Sequence, residues 1–275
     1  MLSVAVPALL ATLGASLSNP MCDAFSDPKL LQLFRVENLN NAACGTVYPA
    51  GSLEDGGMPL GGVGTGYLCL DPDGRLGKSS IFNRFPAPLV LGLPFLSLSV
   101  DGKELTVATP RDGSGDAKAV HYFGHFPVAD ARFEFDAPVC VEVRAFGPFL
   151  PGDAVESNTP AACFEAYVTN LADTAHNATV TFSPQGFPKG DTAPFSEGGW
   201  QGIQVTHPPI ERMPDWVRHT WAAAVENGLV ESGEAGVRAS ASFELAPGER
   251  KCARFILSWN QPYLRESSGR VEKHM

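Results

Sequence analysis

The sequence has no excess of positive charge, no paired-cysteine motif, no internal repeat and no apolar run long enough to be read as a membrane span. Lys and Arg total 20 against 30 Asp and Glu, a net charge of −10. A polyanion is held by a basic footprint that displaces its counterions, so nucleic acid is excluded as the dominant partner. No self-similarity with a period of about 20–50 residues and no heptad pattern is present, which removes solenoids and coiled coils. The six cysteines (22, 44, 69, 140, 163 and 252) are scattered, with no Cys-x-x-Cys spacing and no Cys/His cluster, so a zinc site is not expected. Buried free thiols and disulfides both remain open for them. Charged residues are only 18% of the chain, yet hydrophobic ones reach 44%. That content excludes low-complexity disorder. Scaling of folded and unfolded surface lets a chain of this size bury roughly 73% of its area, enough for a large core.

The first residues, Met1 to Ser18, are apolar and uncharged, but the stretch is short and contains Pro7. An apolar core over Val4–Leu17 with small residues at Ala15–Ser18 fits a secretory signal, whereas the basic segment that opens such signals is missing. A signal and a poorly ordered or packed N-terminal segment both remain open for residues 1–28. The compartment stays open with them: secreted or periplasmic if residues 1–18 are a signal, cytoplasmic otherwise. Asn177-Ala178-Thr179 is a formal glycosylation acceptor, relevant only in a eukaryotic secretory pathway.

What is abundant is turn chemistry. Gly 28 and Pro 23 are spread through the 275 residues, as expected of many short strands rather than a helical bundle. The one clear early helix pattern is Leu30–Asn38. Beyond it strands dominate. Tyr67–Leu70 stops at Asp71-Pro72-Asp73-Gly74, a turn with Pro second and Gly fourth. Phe95–Val100 runs into Asp101-Gly102, a hairpin signal. Phe133 and Phe135, then Val139, Val141 and Val143, alternate with polar residues, which predicts strands with one buried and one wet face. Ala162–Thr169 and Ala178–Ser183 follow the same pattern. Ala239–Leu245 and Lys251–Trp259 flank Ala246-Pro247-Gly248-Glu249-Arg250 and form the clearest hairpin pattern in the chain. Gln185–Asp215, rich in Pro and Gly, reads as a long surface loop. The expected fold is therefore all-β, a large antiparallel β-sandwich with long loops and one or two short helices.

The most distinctive string is Met58-Pro59-Leu60-Gly61-Gly62-Val63-Gly64-Thr65-Gly66-Tyr67. Phosphate-binding glycine loops need a helix to start directly after them. Here a strand and a Pro-Asp-Gly turn follow, so the glycines read as a tight entry into a strand with close backbone contact. The string from Gly57 to Gly66, with Asp73-Gly74-Arg75-Leu76-Gly77 and Ile81-Phe82-Asn83, resembles the N-terminal domain of glycoside hydrolase family 116. That family comprises β-glucosidases, among them the non-lysosomal glucosylceramidases. Two further blocks agree. One is Ala145-Phe146-Gly147-Pro148-Phe149-Leu150-Pro151-Gly152-Asp153 followed by Ser157, Pro160-Ala161 and Val168-Thr169-Asn170. The other, weaker, is Phe255-Ile256-Leu257-Ser258-Trp259-Asn260-Gln261-Pro262. The resemblance covers roughly residues 50–262.

The resemblance implies an N-terminal β-sandwich over residues 29–263, followed by a polar tail, 264–275. Gly61, Gly62, Gly64, Gly66, Asn83, Pro151, Gly152 and Asp153 are the motif positions expected to shape it. It also implies a partner, an (α/α)6 domain in cis or trans. That domain carries the Glu nucleophile and Asp acid/base of a retaining β-glucosidase, two carboxyl groups about 5–5.5 Å apart. No position of this sequence matches either, so no catalytic residue is expected here, and no cofactor. The substrate implied for the complete enzyme is a β-glucoside or a glycolipid.

Other residues have plainer readings. Asp71 and Asp73 fit a turn, Asp153 a loop, and Glu165 the solvent face of a strand. His121 and His125 share a strand face but lack a third ligand for a metal. Trp200 and Trp216, with Trp221 and Tyr263, are candidates for stacking on sugars, against which stands packing in the core or at a domain interface. The resulting expectation is a non-catalytic sandwich that docks on and supports a glycosidase barrel. The alternative is an independent module that binds carbohydrate or mediates protein association.

Overall fold

The computed structural model describes residues 46–48, 56–82, 89–207, 219–234, 236–260, 263–265 and 271–273. Residues 1–28, the helix expected over Leu30–Asn38, Asn83, Trp216, Cys22 and Cys44 lie outside the described residues. The first strands are β1 (Thr46–Tyr48), β2 (Met58–Leu60), β3 (Leu68–Leu70), β4 (Arg75–Ser79), β5 (Leu89–Pro94), β6 (Leu96–Val100) and β7 (Lys103–Thr106). Next come β8 (Ala119–His125), β9 (Val128–Glu134), β10 (Val139–Phe146), the short helix α1 (Ala154–Ser157), which is the one helix among the described residues, β11 (Ala161–Asn170) and β12 (His176–Phe182). Then follow β13 (Asp191–Glu197), β14 (Trp200–His207), β15 (His219–Glu226), β16 (Leu229–Gly233), β17 (Gly236–Leu245) and β18 (Arg250–Asn260). Finally, β19 (Tyr263–Arg265) pairs with β20 (Val271–Lys273), all but Tyr263 within the stretch read as a polar tail.

The architecture is the expected antiparallel all-β sandwich. A nine-stranded sheet runs β1-β8-β9-β10-β11-β18-β15-β14-β13, and a five-stranded sheet runs β16-β17-β12-β6-β7. A third sheet, β2-β3-β4-β5, joins them. The two larger sheets bury facing rows of residues: Leu98, Val180 and Ala241 on one side, Val141, Phe164, Phe255 and Leu257 on the other. Aromatic rings close the gap between them. Phe182 stacks on Phe255 at 5.4 Å and tilts against Phe164 at 5.1 Å, while Phe95 meets Phe164 at 5.2 Å. Such pairs add to the area term that drives sheet-on-sheet packing. The third sheet is tied in by Tyr122, whose hydroxyl accepts from the Met58 N–H and donates to the Leu70 carbonyl, both at 2.8 Å.

Two turn readings hold. Asp101 and Gly102 adopt φ of 49° and 84° between β6 and β7, the paired positive φ of a tight hairpin. The Asp71–Gly74 turn closes with the Gly74 N–H on the Asp71 carbonyl at 3.0 Å and joins β3 to β4.

The strongest hairpin pattern is overturned. The turn at Ala246–Glu249 forms, with the Glu249 N–H on the Ala246 carbonyl at 2.9 Å. Yet β17 pairs with β12 and β16, whereas β18 pairs with β11 and β15. The turn is an arch between sheets. Turn chemistry reverses the chain but does not choose which neighbour a strand bonds to. The segment from β11 to β12 makes a second arch of the same kind. Asn170 holds the two together: its buried amide donates to the carbonyls of Thr174 (2.7 Å), Leu245 (3.1 Å) and Ala246 (3.1 Å). Its side-chain oxygen accepts from the Ala172 N–H at 2.9 Å. Asn170→Ala is expected to lower stability by about 2–3 kcal/mol through buried carbonyls left without donors. Asn170→Asp should not restore it, because a carboxylate cannot donate. A urea midpoint for the alanine variant equal to the parent's would show that the arches hold without this clamp.

The expected loop over Gln185–Asp215 is in part a strand pair, β13 with β14. Its turn is Gly198-Gly199, with φ of 55° and 85°. Pro194 is tolerated inside β13 because that strand is the sheet's edge.

The wet face predicted for Val139–Arg144 is also corrected. Cys140, Glu142 and Arg144 do point away from the core residues Val139, Val141 and Val143, but all are buried. Adjacent strands supply a lattice of opposite charges on that face. Arg144 makes two bonds to Asp130 (2.8 and 3.1 Å), Arg254 bridges Glu165 (3.2 Å) and Glu226 (3.1 Å), and Arg250 meets Glu142 at 3.0 Å. Glu165 is therefore not a solvated carboxylate: it is 8% exposed and also accepts from the Tyr167 hydroxyl at 2.7 Å. Burial first, and this bond second, hold the Tyr167 proton on well above the ordinary phenol range.

Candidate functional site

The three sequence blocks, far apart in the chain, meet at one end of the sandwich. Gly61–Gly66 leaves β2 and folds across that end before entering β3. The Val63 N–H bonds to the Ser157 carbonyl at 2.8 Å, and the Gly64 N–H to the Asn158 side-chain oxygen at 2.8 Å. Trp259, near the end of β18, donates its indole N–H to the Thr65 carbonyl at 2.7 Å.

Two of these glycines are obligatory for spatial reasons. Gly61 has φ +138°, and a Cβ on it would lie 2.5 Å from the Gly66 carbonyl oxygen and 2.9 Å from the Trp259 ring. A Cβ on Gly62 would sit 2.7 Å from the backbone of Asn158 and Thr159. The loop is glycine-rich because backbone lies on backbone.

The second block is built by local rules. Pro151 and Gly152 take the middle positions of a turn closed by the Asp153 N–H on the Leu150 carbonyl (3.0 Å), Gly152 having φ +91°. Asp153 then caps α1, accepting from the N–H groups of Val155 and Glu156 at 3.0 Å. Its carboxylate is engaged in structure. Ser157 ties the turn to the helix, accepting from the Leu150 N–H (2.9 Å) and donating to the Leu150 carbonyl (3.0 Å). Asn158 returns to the Ala154 carbonyl at 2.7 Å.

This tightly bonded backbone, with the β8–β9 turn that carries Phe126, displays apolar side chains to solvent. Val63 is 66% exposed, Phe126 60%, Phe149 40%, Leu150 37% and Val155 82%. Phe126 and Phe149 meet edge to face at 5.2 Å. These five make up most of the large hydrophobic residues that are exposed among the described residues. Apolar clusters of this kind mark interaction sites. The end of β18 lies beside the segment that follows α1, since the Trp259 N–H bonds to the Pro160 carbonyl at 3.0 Å.

The remaining sequence candidates sit elsewhere. Asp71 is buried and accepts from the Gly57 N–H at 3.0 Å; Asp73 is buried between Arg75 (3.1 Å) and Arg111 (2.9 Å). Both belong to the turn, as read, but neither is solvated. His121 and His125 pair with different carboxylates, Glu134 at 3.5 Å and Asp130 at 3.0 Å. Among the described residues no group of three or more His, Cys, Asp or Glu side chains is arranged to hold a metal. Trp200 is 3% exposed, packed with Cys163, Ala224 and Ile256, and presents no open face to a sugar. Trp221 is buried too. The four described cysteines are free thiols. Burial pushes Cys69 up to about 11 and both Cys163 and Cys252 up to about 12, far from a nucleophilic thiolate at neutral pH.

What the sequence did not reveal is the apolar cluster. Its members come from separate segments, and although Val63, Phe149 and Leu150 lie in motif strings, nothing in those strings shows that their side chains stay exposed or meet Phe126 and Val155.

Solved structures match the chain only distantly. A protein assigned as a kojibiose phosphorylase from the human microbiome matches at 8% identity with a TM-score of 0.42, over 79% of this chain and 26% of its own. A polysaccharide lyase matches at 11% identity with a TM-score of 0.41, over 76% of this chain and 33% of its own. A family 36 α-galactosidase from Geobacillus stearothermophilus matches at 10% identity with a TM-score of 0.35, over 78% of this chain and 41% of its own. The chain thus spans about a quarter to two-fifths of these proteins. No curated protein sequence matches it. A family model does, the one described as beta-glucosidase 2, glycosyl-hydrolase family 116 N-term, over residues 57–207. That span holds the glycine loop and the Pro151-Gly152-Asp153 block, while Trp259, which packs on the glycine loop and bonds to the Pro160 carbonyl, lies beyond it. The match covers more than half of the 275 residues, and the chain belongs to the family of glycosyl-hydrolase family 116 N-terminal domains.

Proposed function

We propose that this chain is the non-catalytic sandwich of a retaining β-glucosidase or glucosylceramidase, and that it docks on and steadies an (α/α)6 catalytic domain through the cluster at Val63, Phe126, Phe149, Leu150 and Val155. The observation that carries the reading is the pairing of a rigid backbone with exposed apolar side chains. Loops that serve only as connections keep such groups inside; loops that meet a partner pre-order them, which reduces the entropy lost on docking. The carboxylates singled out in the sequence support a non-catalytic role: Asp71, Asp73 and Glu165 are buried with partners, and Asp153 caps a helix. The β-glucoside or glycolipid substrate would belong to the complete enzyme.

The test is association with a family 116 (α/α)6 domain supplied as a separate chain, read by sedimentation. A patch of about 800 Å² per partner is the usual size for a stable complex. Val63→Ser combined with Val155→Ser is expected to weaken binding roughly 10- to 100-fold, while each change alters the sandwich's own stability by no more than about 0.5 kcal/mol. Undiminished binding by this double variant would remove the docking face. Turnover of an aryl β-glucoside by the chain alone, abolished by a single carboxylate substitution, would remove the non-catalytic role.

A further inference from the structure

A cleft of about 390 Å³ opens between the β12–β13 connection and the β16–β17 hairpin. We propose that it binds one neutral pyranoside ring, a site distinct from the docking cluster and independent of any catalytic partner. The volume falls within the range of small-molecule sites, roughly 300–1,000 Å³. One wall is aromatic and apolar: half-buried Phe187 offers its ring to the cleft and is backed at 5.2 Å by Trp221, which is itself buried. The rim is polar, with Gln185, Lys189, Ser232 and Glu234 all exposed. A pyranoside matches this pairing, because its C–H face stacks on a ring while its hydroxyls need donors and acceptors at the edge.

Charge narrows the ligand class. Lys189 and Glu234 contribute one charge of each sign, so the lining is neutral as a whole. A phosphate or carboxylate ligand would call for an excess of cations. An acyl chain would make no use of the polar groups of Gln185 and Ser232 at the rim, and would lose free energy wherever it covered them.

The walls are held in place before any ligand arrives. The Trp221 indole N–H donates to the Pro188 carbonyl at 2.8 Å, and the Lys189 ammonium donates to the Glu234 carbonyl at 2.7 Å, tying one lip to the other. Trp221 is also the cross-strand partner of Trp259. The cleft therefore shares an end of the sandwich with the glycine loop.

The experiment is a titration of the full chain with methyl β-D-glucopyranoside, followed by the NMR shifts of the Trp221 indole N–H and the Gln185 side-chain amide. Saturable shifts of both with a Kd of about 1 mM are expected, the affinity of a small ring held with ordinary efficiency per atom. Gln185→Ala and Ser232→Ala change exposed residues and leave folding intact; each should weaken binding roughly three- to tenfold. Phe187→Ala should abolish it. Shifts that do not saturate, shifts that glycerol reproduces at equal concentration, or binding unchanged in Gln185→Ala and Ser232→Ala would each overturn the site. The Val63→Ser/Val155→Ser variant should bind the glucoside as the parent does, which separates this result from the fate of the docking face.

Discussion

Trp259→Ala is expected to be the most damaging single substitution in the chain, lowering stability by about 3–5 kcal/mol from lost burial alone. Trp259 is the largest of the side chains that are fully buried among the described residues. Its ring supports Gly61 from below, and its indole N–H is the partner of the Thr65 carbonyl. The alanine variant therefore leaves a void and takes the donor from that carbonyl, adding about 1–3 kcal/mol if water does not replace it. Against a total of about 5–15 kcal/mol for a typical domain, that leaves little or no folded margin. Trp259→Phe refills much of the volume but not the hydrogen bond, and should fall between parent and alanine. Gly61→Ala attacks the same contact from the other side, through a Cβ forced against the Gly66 carbonyl at positive φ. Urea midpoints at unchanged m-value measure all three, and hydrogen exchange of the Val63 and Gly64 amides reports whether the loop has lifted. A Trp259→Phe variant as stable as the parent, with those amides still protected, would mean that the indole bond does not hold the loop.

The second large effect is expected at Arg75, which is 1% exposed. Its guanidinium donates to Asp73 (3.1 Å), the Thr109 carbonyl (3.0 Å), and the Ser114 carbonyl (3.0 Å) and hydroxyl (3.2 Å). A turn and a distant loop are thus joined through one planar group. Arg75→Met keeps the apolar stem but takes from Asp73 its buried partner, leaving it Arg111 and a backbone N–H, and takes from the Thr109 carbonyl its guanidinium donor; it should cost about 3–5 kcal/mol. Arg75→Lys should recover only part of this, because a single ammonium cannot meet acceptors that the fork reaches in several directions. Arg111 pairs with the same carboxylate but is 29% exposed at its side chain. Solvent screens that pair, so Arg111→Met should cost clearly less than Arg75→Met. Equal losses at Arg75 and Arg111 would show that burial does not set the strength of this cluster.

Local features of the chain were readable without coordinates, and for a definite reason. Alternation at Leu96–Val100, the Asp101-Gly102 and Asp71–Gly74 turns and the run at Lys251–Trp259 each depend on a few consecutive residues and a short-range steric rule. The partners of those strands were not readable. Ala246–Glu249 has the residues of a hairpin turn, yet the flanking strands belong to different sheets, with Asn170 bonding both arches across a separation of 75 residues. Glu165 and Arg144 looked solvent-facing because alternation reports only which face a side chain takes. Whether that face is wet depends on neighbours such as Arg254, which is distant in the chain.

The candidate sites divide in the same way. The glycine string, Pro151-Gly152-Asp153 and Trp259 stood out as motifs, and their family could be named from residue order. That they touch one another was a matter of tertiary structure, as were the rigid apolar cluster around them and the Phe187 cleft beside Trp221. By itself the sequence determined an all-β chain with its turns and its family. The folded protein decided which strands are neighbours and which residues share a surface. Both come from contacts whose free energy appears only once distant segments have met, and no short-range preference encodes that.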